Sequence, residues 1–286
     1  MFPTPPRYVA GLPQPARCLV MGVVNVTPDS FSDGGIWLEP AAAISHGLAM
    51  SGAGADLVDV GGESTRPGAE RPSVDDELAR VIPVVTELSG RGVVVSVDTM
   101  RAQVARQAVA AGASAVNDVS GGLADPAMLG TVADLEVPYI VMHWRAHSTT
   151  MQDLATYDDV VIDVCRELAE RVDAALTAGI ARERIAVDPG LGFAKTGEHN
   201  WELLGRFDSL LELGFPVLIG ASRKAFLGRL LATDDGQQRS VTARDDASAA
   251  TSALAAAAGA WCVRVHGVAR SLDAVRVASR WARSTR

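Results

Sequence analysis

Residues 93–118 read VVVSVDTMRAQVARQAVAAGASAVND. The β-branched run 93–97 has the composition of a buried strand and stops on Asp98. Residues 101–111 follow Asp98-Thr99 with helical periodicity and stop at Gly112. A second apolar run, 115–116, ends on Asn117 and Asp118. Two strands separated by one helix predict a parallel pair joined by a crossover, with a polar group at the carboxyl end of each strand.

The same pattern extends in both directions. On the amino side lie the runs 18–24, ending at Asn25, and 57–60, followed by Gly61-Gly62 and Glu63. On the carboxyl side lie 138–142 (ending at His143), 185–187 (Asp188) and 216–221 (Ser222, Arg223, Lys224). The last run, 261–265, holds Arg264 and ends at His266. Helical segments fall between them: 39–51 before Gly52, 74–89 with Ser73 as N-cap, 126–136 opening on Pro126, 158–178 before Gly179 and 200–213 before Gly214. Segments 243–258 and 271–284 complete the series.

Strand and helix thus alternate eight times, which predicts an α/β chain folded as a (β/α)8 TIM barrel in one domain, residues 18–286. An open doubly wound sheet usually carries a Gly-rich phosphate fingerprint after its first strand, and none follows 18–24. Residues 1–17, with five prolines among the first fifteen, are expected to form a loose tail. The βα connections 26–38 and 61–73 are long for this fold, and 232–241 reads as a solvated insertion.

Hydrophobic residues make up 48% of the 286 and charged residues 21%, enough for a sizeable core. A net charge of −8 excludes general nucleic-acid binding, which needs a basic surface, but leaves room for a basic pocket. The chain has neither a membrane-length apolar segment nor a signal-peptide core. Cys18, Cys165 and Cys262 lack metal spacing and are expected as reduced thiols in a cytoplasmic protein. The arginines of the last helix (Arg270, Arg276, Arg280, Arg283, Arg286) are expected to form a solvated face.

A parallel barrel presents its site at the carboxyl ends of its strands. Asp98, Asn117 and Asp188 each follow an apolar run, so they are expected to point into the mouth, where carboxylates and an amide can read a ring edge of donors and acceptors. Ser222-Arg223-Lys224 could hold an anion or a ring oxygen; a Schiff-base role for Lys224 is the weaker alternative. Alternation sends Arg264 and His266 to one face as a candidate oxyanion clamp. Asn25 opens a loop with Asp29, Phe31 and Asp33, which reads either as a ligand loop or as a turn-rich surface segment.

These segments resemble dihydropteroate synthases, particularly actinobacterial ones. The resemblance is carried by 25–35, 59–68 (DVGGESTRPG), 96–99, 117–122, 188–195 (DPGLGFAK), 222–224 and 264–266, in order along the chain. It implies condensation of 6-hydroxymethyl-7,8-dihydropterin pyrophosphate with p-aminobenzoate to 7,8-dihydropteroate, in a homodimer with Mg²⁺. Asp98, Asn117, Asp188 and Lys224 would hold the pterin. Asn25, Arg264 and His266 would hold the pyrophosphate, with Mg²⁺ at Asn25. Phe31, Thr65, Arg66, Pro67, Phe193 and Ser222 would form the p-aminobenzoate pocket. Catalytic weight would fall on Asp98 and Lys224, with Asp33 and Arg66 assembling the pocket as the loops close. A pterin-dependent methyltransferase barrel and a non-catalytic pterin-binding paralogue are the alternatives. The first needs no pyrophosphate clamp, and the second should show decayed loops.

Overall fold

Among the described residues eight parallel strands surround one core, each followed by helix. A computed structural model describes residues 8–27, 40–64, 71–147 and 151–284. The strands are β1 (Leu19–Asn25), β2 (Leu57–Gly61), β3 (Val95–Asp98), β4 (Ala115–Asp118), β5 (Tyr139–Met142), β6 (Ile185–Asp188), β7 (Leu218–Ile219) and β8 (Cys262–Val265). Their order in the sheet is β6-β5-β4-β3-β2-β1-β8-β7, and a parallel bridge between Val187 and Val217 joins the two ends into a ring. The expected (β/α)8 barrel is therefore observed.

The seam between β6 and β7 is thin for a chemical reason. Val187 N–H donates to Pro216 O at 2.9 Å, but Pro216 has no N–H to return. The ladder there shrinks to one bridge, and the run expected over 216–221 keeps only two residues as strand.

The helices are α1 (Pro40–Gly52), α2 (Val74–Gly90), α3 (Ala102–Ala110), α4 (Met128–Leu135), α5 (Val160–Thr177), α6 (Gly197–Gly205), α7 (Phe207–Leu211), α8 (Ala225–Leu230), α9 (Asp245–Ala258) and α10 (Val268–Ser284). Ser73 caps α2 as expected, accepting from Asp76 N–H at 3.1 Å. The single helix expected over 200–213 is instead α6 and α7. Between them Arg206 leaves the helical region (φ −110°, ψ 43°), and its guanidinium reaches Asp159 at 2.7 Å. The segment 232–241 is largely exposed, as its composition suggested.

Inward-facing positions alternate along each strand, and their chemistry changes with height. At the amino ends Leu19, Met21, Leu57, Ala115, Ile140, Ala186, Leu218 and Cys262 fill the barrel. Val9 and Leu12 join this cluster, 0% and 6% exposed, and Ala10 N–H donates to Glu183 O at 2.7 Å. The expectation of a loose tail is thus corrected for residues 8–12, which plug the barrel floor because two apolar side chains among the prolines fit the open end. One layer up, the inward positions turn polar: Asp59, Ser96, Asp98, Asn117, Asp188 and Arg264. Outward positions of the strands pack on the helices through Val20, Val58, Val95, Val116, Val141 and Val263.

Candidate active site

Register brings the polar layer together. Asp98 pairs with Asn117 across β3–β4 and with Gly61 across β2–β3, so both side chains stand at one height. A Cβ on Gly61 would sit 3.3 Å from that of Asp98, which leaves Asp98 open towards the mouth. Asp188, at the end of β6, accepts from Gly190 N–H at 2.7 Å through one oxygen; the other faces Gly220.

Arg264 reaches across this layer from β8. Its Nε donates to Asp59 Oδ2 at 2.6 Å and its Nη2 to Asp98 Oδ2 at 2.7 Å. Asn117 Nδ2 donates to the same Asp59 oxygen at 2.9 Å. Burial pushes the Asp98 carboxyl up to about 8, against the pull of Arg264 and with the neighbouring Asp59 carboxylate adding to the rise. Burial also raises Asp188, opposed by Lys224.

Lys224 caps the site from the turn after β7. Its ammonium donates to Leu191 O and lies 4.5 Å from the centre of the Phe193 ring. Burial lowers the Lys224 pKa to about 8, with Asp188 resisting. The preceding Arg223 adopts a left-handed backbone (φ 59°) and turns outward to Asp245 at 2.7 Å. That turn leaves Ser222 and Lys224 on the site side, and Ser222 Oγ lies 3.1 Å from His266 Nδ1.

A second buried chain flanks the mouth. Lys195 Nζ is 2.9 Å from His143 Nδ1 and 3.1 Å from Phe193 O, and His143 Nε2 is 2.9 Å from Glu167. Glu167 also takes Arg145 at 2.6 Å. Burial and Lys195 pull His143 down to about 4, so its ring is neutral. Burial works to raise Glu167, but the hydrogen bonds from His143 and Arg145 outweigh it and hold the carboxyl at about 2. A carboxylate only accepts, so Nε2 carries the ring proton and Nδ1 accepts from Lys195.

The mouth therefore offers acceptors from Asp98, Asn117 and Asp188 and a cation from Lys224, beneath a half-buried aromatic ring. This is the complement of a planar heteroaromatic ring with a donor edge and a carbonyl. A family profile described as pterin binding enzyme matches residues 21–266. A dihydropteroate synthase of Mycobacterium leprae is 54% identical, over 92% of this chain and 93% of that protein. The chain belongs to the dihydropteroate synthase family. A Xanthomonas albilineans dihydropteroate synthase solved with 4-aminobenzoic acid superposes with a TM-score of 0.84 at 47% identity, covering 94% of this chain and 93% of that one. Another structure from the same organism, in complex with 7,8-dihydropteroate, gives 0.80 at 43% identity and 97% coverage of both chains.

Among the residues that the dihydropteroate synthase resemblance singled out, the fold gathers Asp98, Asn117, Asp188, Lys224, Phe193, Ser222, Arg264 and His266 around one mouth, with Asn25 half-buried at the end of β1. Phe31, Asp33, Thr65, Arg66 and Pro67 lie outside the described residues. Arg264 does not stand apart at the rim as the clamp reading expected. It is held lower, by Asp59 and Asp98, because those carboxylates are its nearest counter-charges. Asp59 itself was missed. Its one trace in the sequence is a carboxylate interrupting the apolar run 57–60; the structure buries it fully, two residues before the strand end. Glu63 forms a 3.0 Å ion pair with the Arg71 side chain, whereas Asp118 accepts from the Tyr139 hydroxyl and from the Ser120 and Gly122 N–H groups and so holds the loop backbone after β4.

Proposed function

We propose that this chain joins 6-hydroxymethyl-7,8-dihydropterin pyrophosphate to p-aminobenzoate, forming 7,8-dihydropteroate and pyrophosphate in folate biosynthesis. The observation that carries this reading is the layer of Asp98, Asn117, Asp188 and Lys224, whose donor and acceptor pattern matches a pterin. The compounds bound in the Xanthomonas structures support the same chemistry.

The reaction breaks the C–O bond between the pterin methylene and pyrophosphate, with the electron pair leaving on oxygen. The resulting cation is delocalised into the ring, and the Asp98 carboxylate offsets it from the strand end. Arg264 and His266 are assigned to the anionic leaving group. Arg264 can serve both phases, since in the free protein it already rests against Asp98 at 2.7 Å and exchanges that partner for an anion. The amine of p-aminobenzoate then forms the C–N bond with its own lone pair and loses a proton, so no strong base is required. Phe193 and Ser222 are assigned to this second substrate, together with Phe31, Thr65, Arg66 and Pro67, and Asp33 joins Arg66 in assembling the pocket. Substrates bind in order, pterin first and p-aminobenzoate last.

Mg²⁺ fits this site only as an ion shared with substrate. Among the described residues no group of three His, Cys, Asp or Glu side chains could hold a metal, whereas Asn25 offers one amide oxygen beside the mouth. A few protein oxygens plus phosphates and water suit Mg²⁺, which when bound would neutralise charge on the pyrophosphate. A homodimer is proposed as the assembly; the exposed Leu254, Val277 and Trp281 on the adjoining helices α9 and α10 support it. No described helix is long and apolar enough to cross a membrane, and the proposed location is the cytoplasm.

Purified protein given both substrates and Mg²⁺ should form 7,8-dihydropteroate, detected by chromatography. Pterin binding without product would favour the non-catalytic paralogue. Sulfonamides imitate p-aminobenzoate, so Phe31→Leu or Pro67→Ser should weaken sulfonamide inhibition more than pterin affinity. Unchanged inhibition in both would remove those residues from the pocket.

A further inference from the structure

We propose that Asp59 is a positioning residue that fixes which face Asn117 shows to the pterin. The inference rests on the reading of the barrel mouth as the dihydropterin site. Asp59 is 0% exposed and lies below Asp98 and Asn117, two residues in from the end of β2. One of its oxygens, Oδ2, accepts from both Asn117 Nδ2 at 2.9 Å and Arg264 Nε at 2.6 Å. A carboxylate can only accept, so the Asn117 amide must turn its NH₂ down towards Asp59. Its carbonyl oxygen is then left as the group presented upward. Without that constraint an asparagine offers donor or acceptor with equal ease.

The consequence is a mouth with three acceptors and one cationic donor, fixed before substrate arrives. Asn117 reads a ring donor alongside Asp98 and Asp188, while Lys224 is left to a ring acceptor. The same Asp59 oxygen sets Arg264, so the ring-reading layer and the cation from β8 share one anchor. Asp59 Oδ1 and Ser96 Oγ, on register-paired residues of β2 and β3, are buried without a hydrogen-bond partner. All the hydrogen bonding of this carboxylate is therefore concentrated in the oxygen that holds Asn117 and Arg264.

The test is titration of 6-hydroxymethyl-7,8-dihydropterin pyrophosphate into wild type and three variants, with steady-state KM for p-aminobenzoate and thermal melting alongside. Asp59→Val removes the acceptor and should weaken the pterin ligand about tenfold or more, with KM for p-aminobenzoate little changed. Asn117→Asp keeps acceptors towards the ring but sets two carboxylates against each other, and should lose affinity similarly. Asp59→Asn places its amide oxygen where Oδ2 stands, so that it still accepts from Asn117 Nδ2 and Arg264 Nε. It should keep most of the affinity. Asp59→Asn no better than Asp59→Val, or Asp59→Val with wild-type affinity, overturns the role. If Asp59→Val does not fold, the comparison of Asn117→Asp with Asp59→Asn still decides. Wild type that fails to bind the dihydropterin would overturn the functional reading, and this inference with it.

Discussion

At the scale of single residues, Asp98 and Lys224 carry opposite requirements. Asp98 must be ionised to offset a cation, and its ionised fraction grows as pH rises through about 8. Lys224 must be protonated to present a cation to the ring, and its protonated fraction falls as pH rises through about 8. The expected profile of kcat/KM for the dihydropterin is a narrow bell, with Asp98 on the acidic limb and Lys224 on the alkaline one. Asp98→Asn should abolish the acidic limb and lower kcat roughly 100- to 1,000-fold while pterin binding shifts only slightly. Equal losses of binding and turnover, or an acidic limb that survives, would remove Asp98 from this role. Asp98, Asn117 and Asp188 were legible in the sequence because each ends an apolar run, and alternation alone then turns it inward. Asp59 was hidden because a strand interior is the place where a charge is least expected. Its partners come from β4 and β8, two strands away on either side of β2, a grouping that only the folded sheet creates.

At the scale of elements, the turn after β6 shows how backbone geometry delivers those residues. Gly190 has φ 67°, and a Cβ there would stand 2.4 Å from His143 O, a backbone atom that cannot move alone. The tight pass lets its N–H reach Asp188 and carries Leu191 O and Phe193 to Lys224. Gly190→Ala should therefore cost about 2–3 kcal/mol of stability and also weaken pterin binding, measured by denaturant unfolding and titration. A variant with wild-type affinity would show that the loop tolerates another path. The sequence announces this turn through its Pro-Gly-x-Gly spacing, but not the carbonyl that makes the first glycine obligatory. Likewise Ser222-Arg223-Lys224 reads as one cationic patch. In three dimensions the left-handed Arg223 faces α9, because Asp245 and the Ser248 hydroxyl hold it there. Helix boundaries were legible where glycines or caps mark them, and failed at Arg206, where a tertiary ion pair bends the chain.

At the scale of the whole molecule, the barrel separates stability from chemistry along its axis. The polar layer and its loops occupy the carboxyl ends, while Val9 and Leu12 seal the opposite end against Leu19, Met21, Leu57 and Trp261. Proline-rich composition disguised this plug, since two apolar residues give no periodicity to read. Leu12→Ala removes a side chain only 6% exposed and should cost about 2–3 kcal/mol, seen as a lower denaturation midpoint. Deleting residues 1–12 should cost more, since the amino ends of the strands would meet water and the hydrogen bond from Ala10 to Glu183 would be lost. Neither change touches Asp59, Asp98, Asn117 or Lys224, so both KM values and kcat should stay within about twofold at temperatures where the variants remain folded. A selective rise in the KM for the dihydropterin would mean that the floor is mechanically coupled to the polar layer above it. The apolar layer of Ala115, Ile140, Ala186 and Leu218 would then be the connection to examine, because those residues stand between the plug and the site.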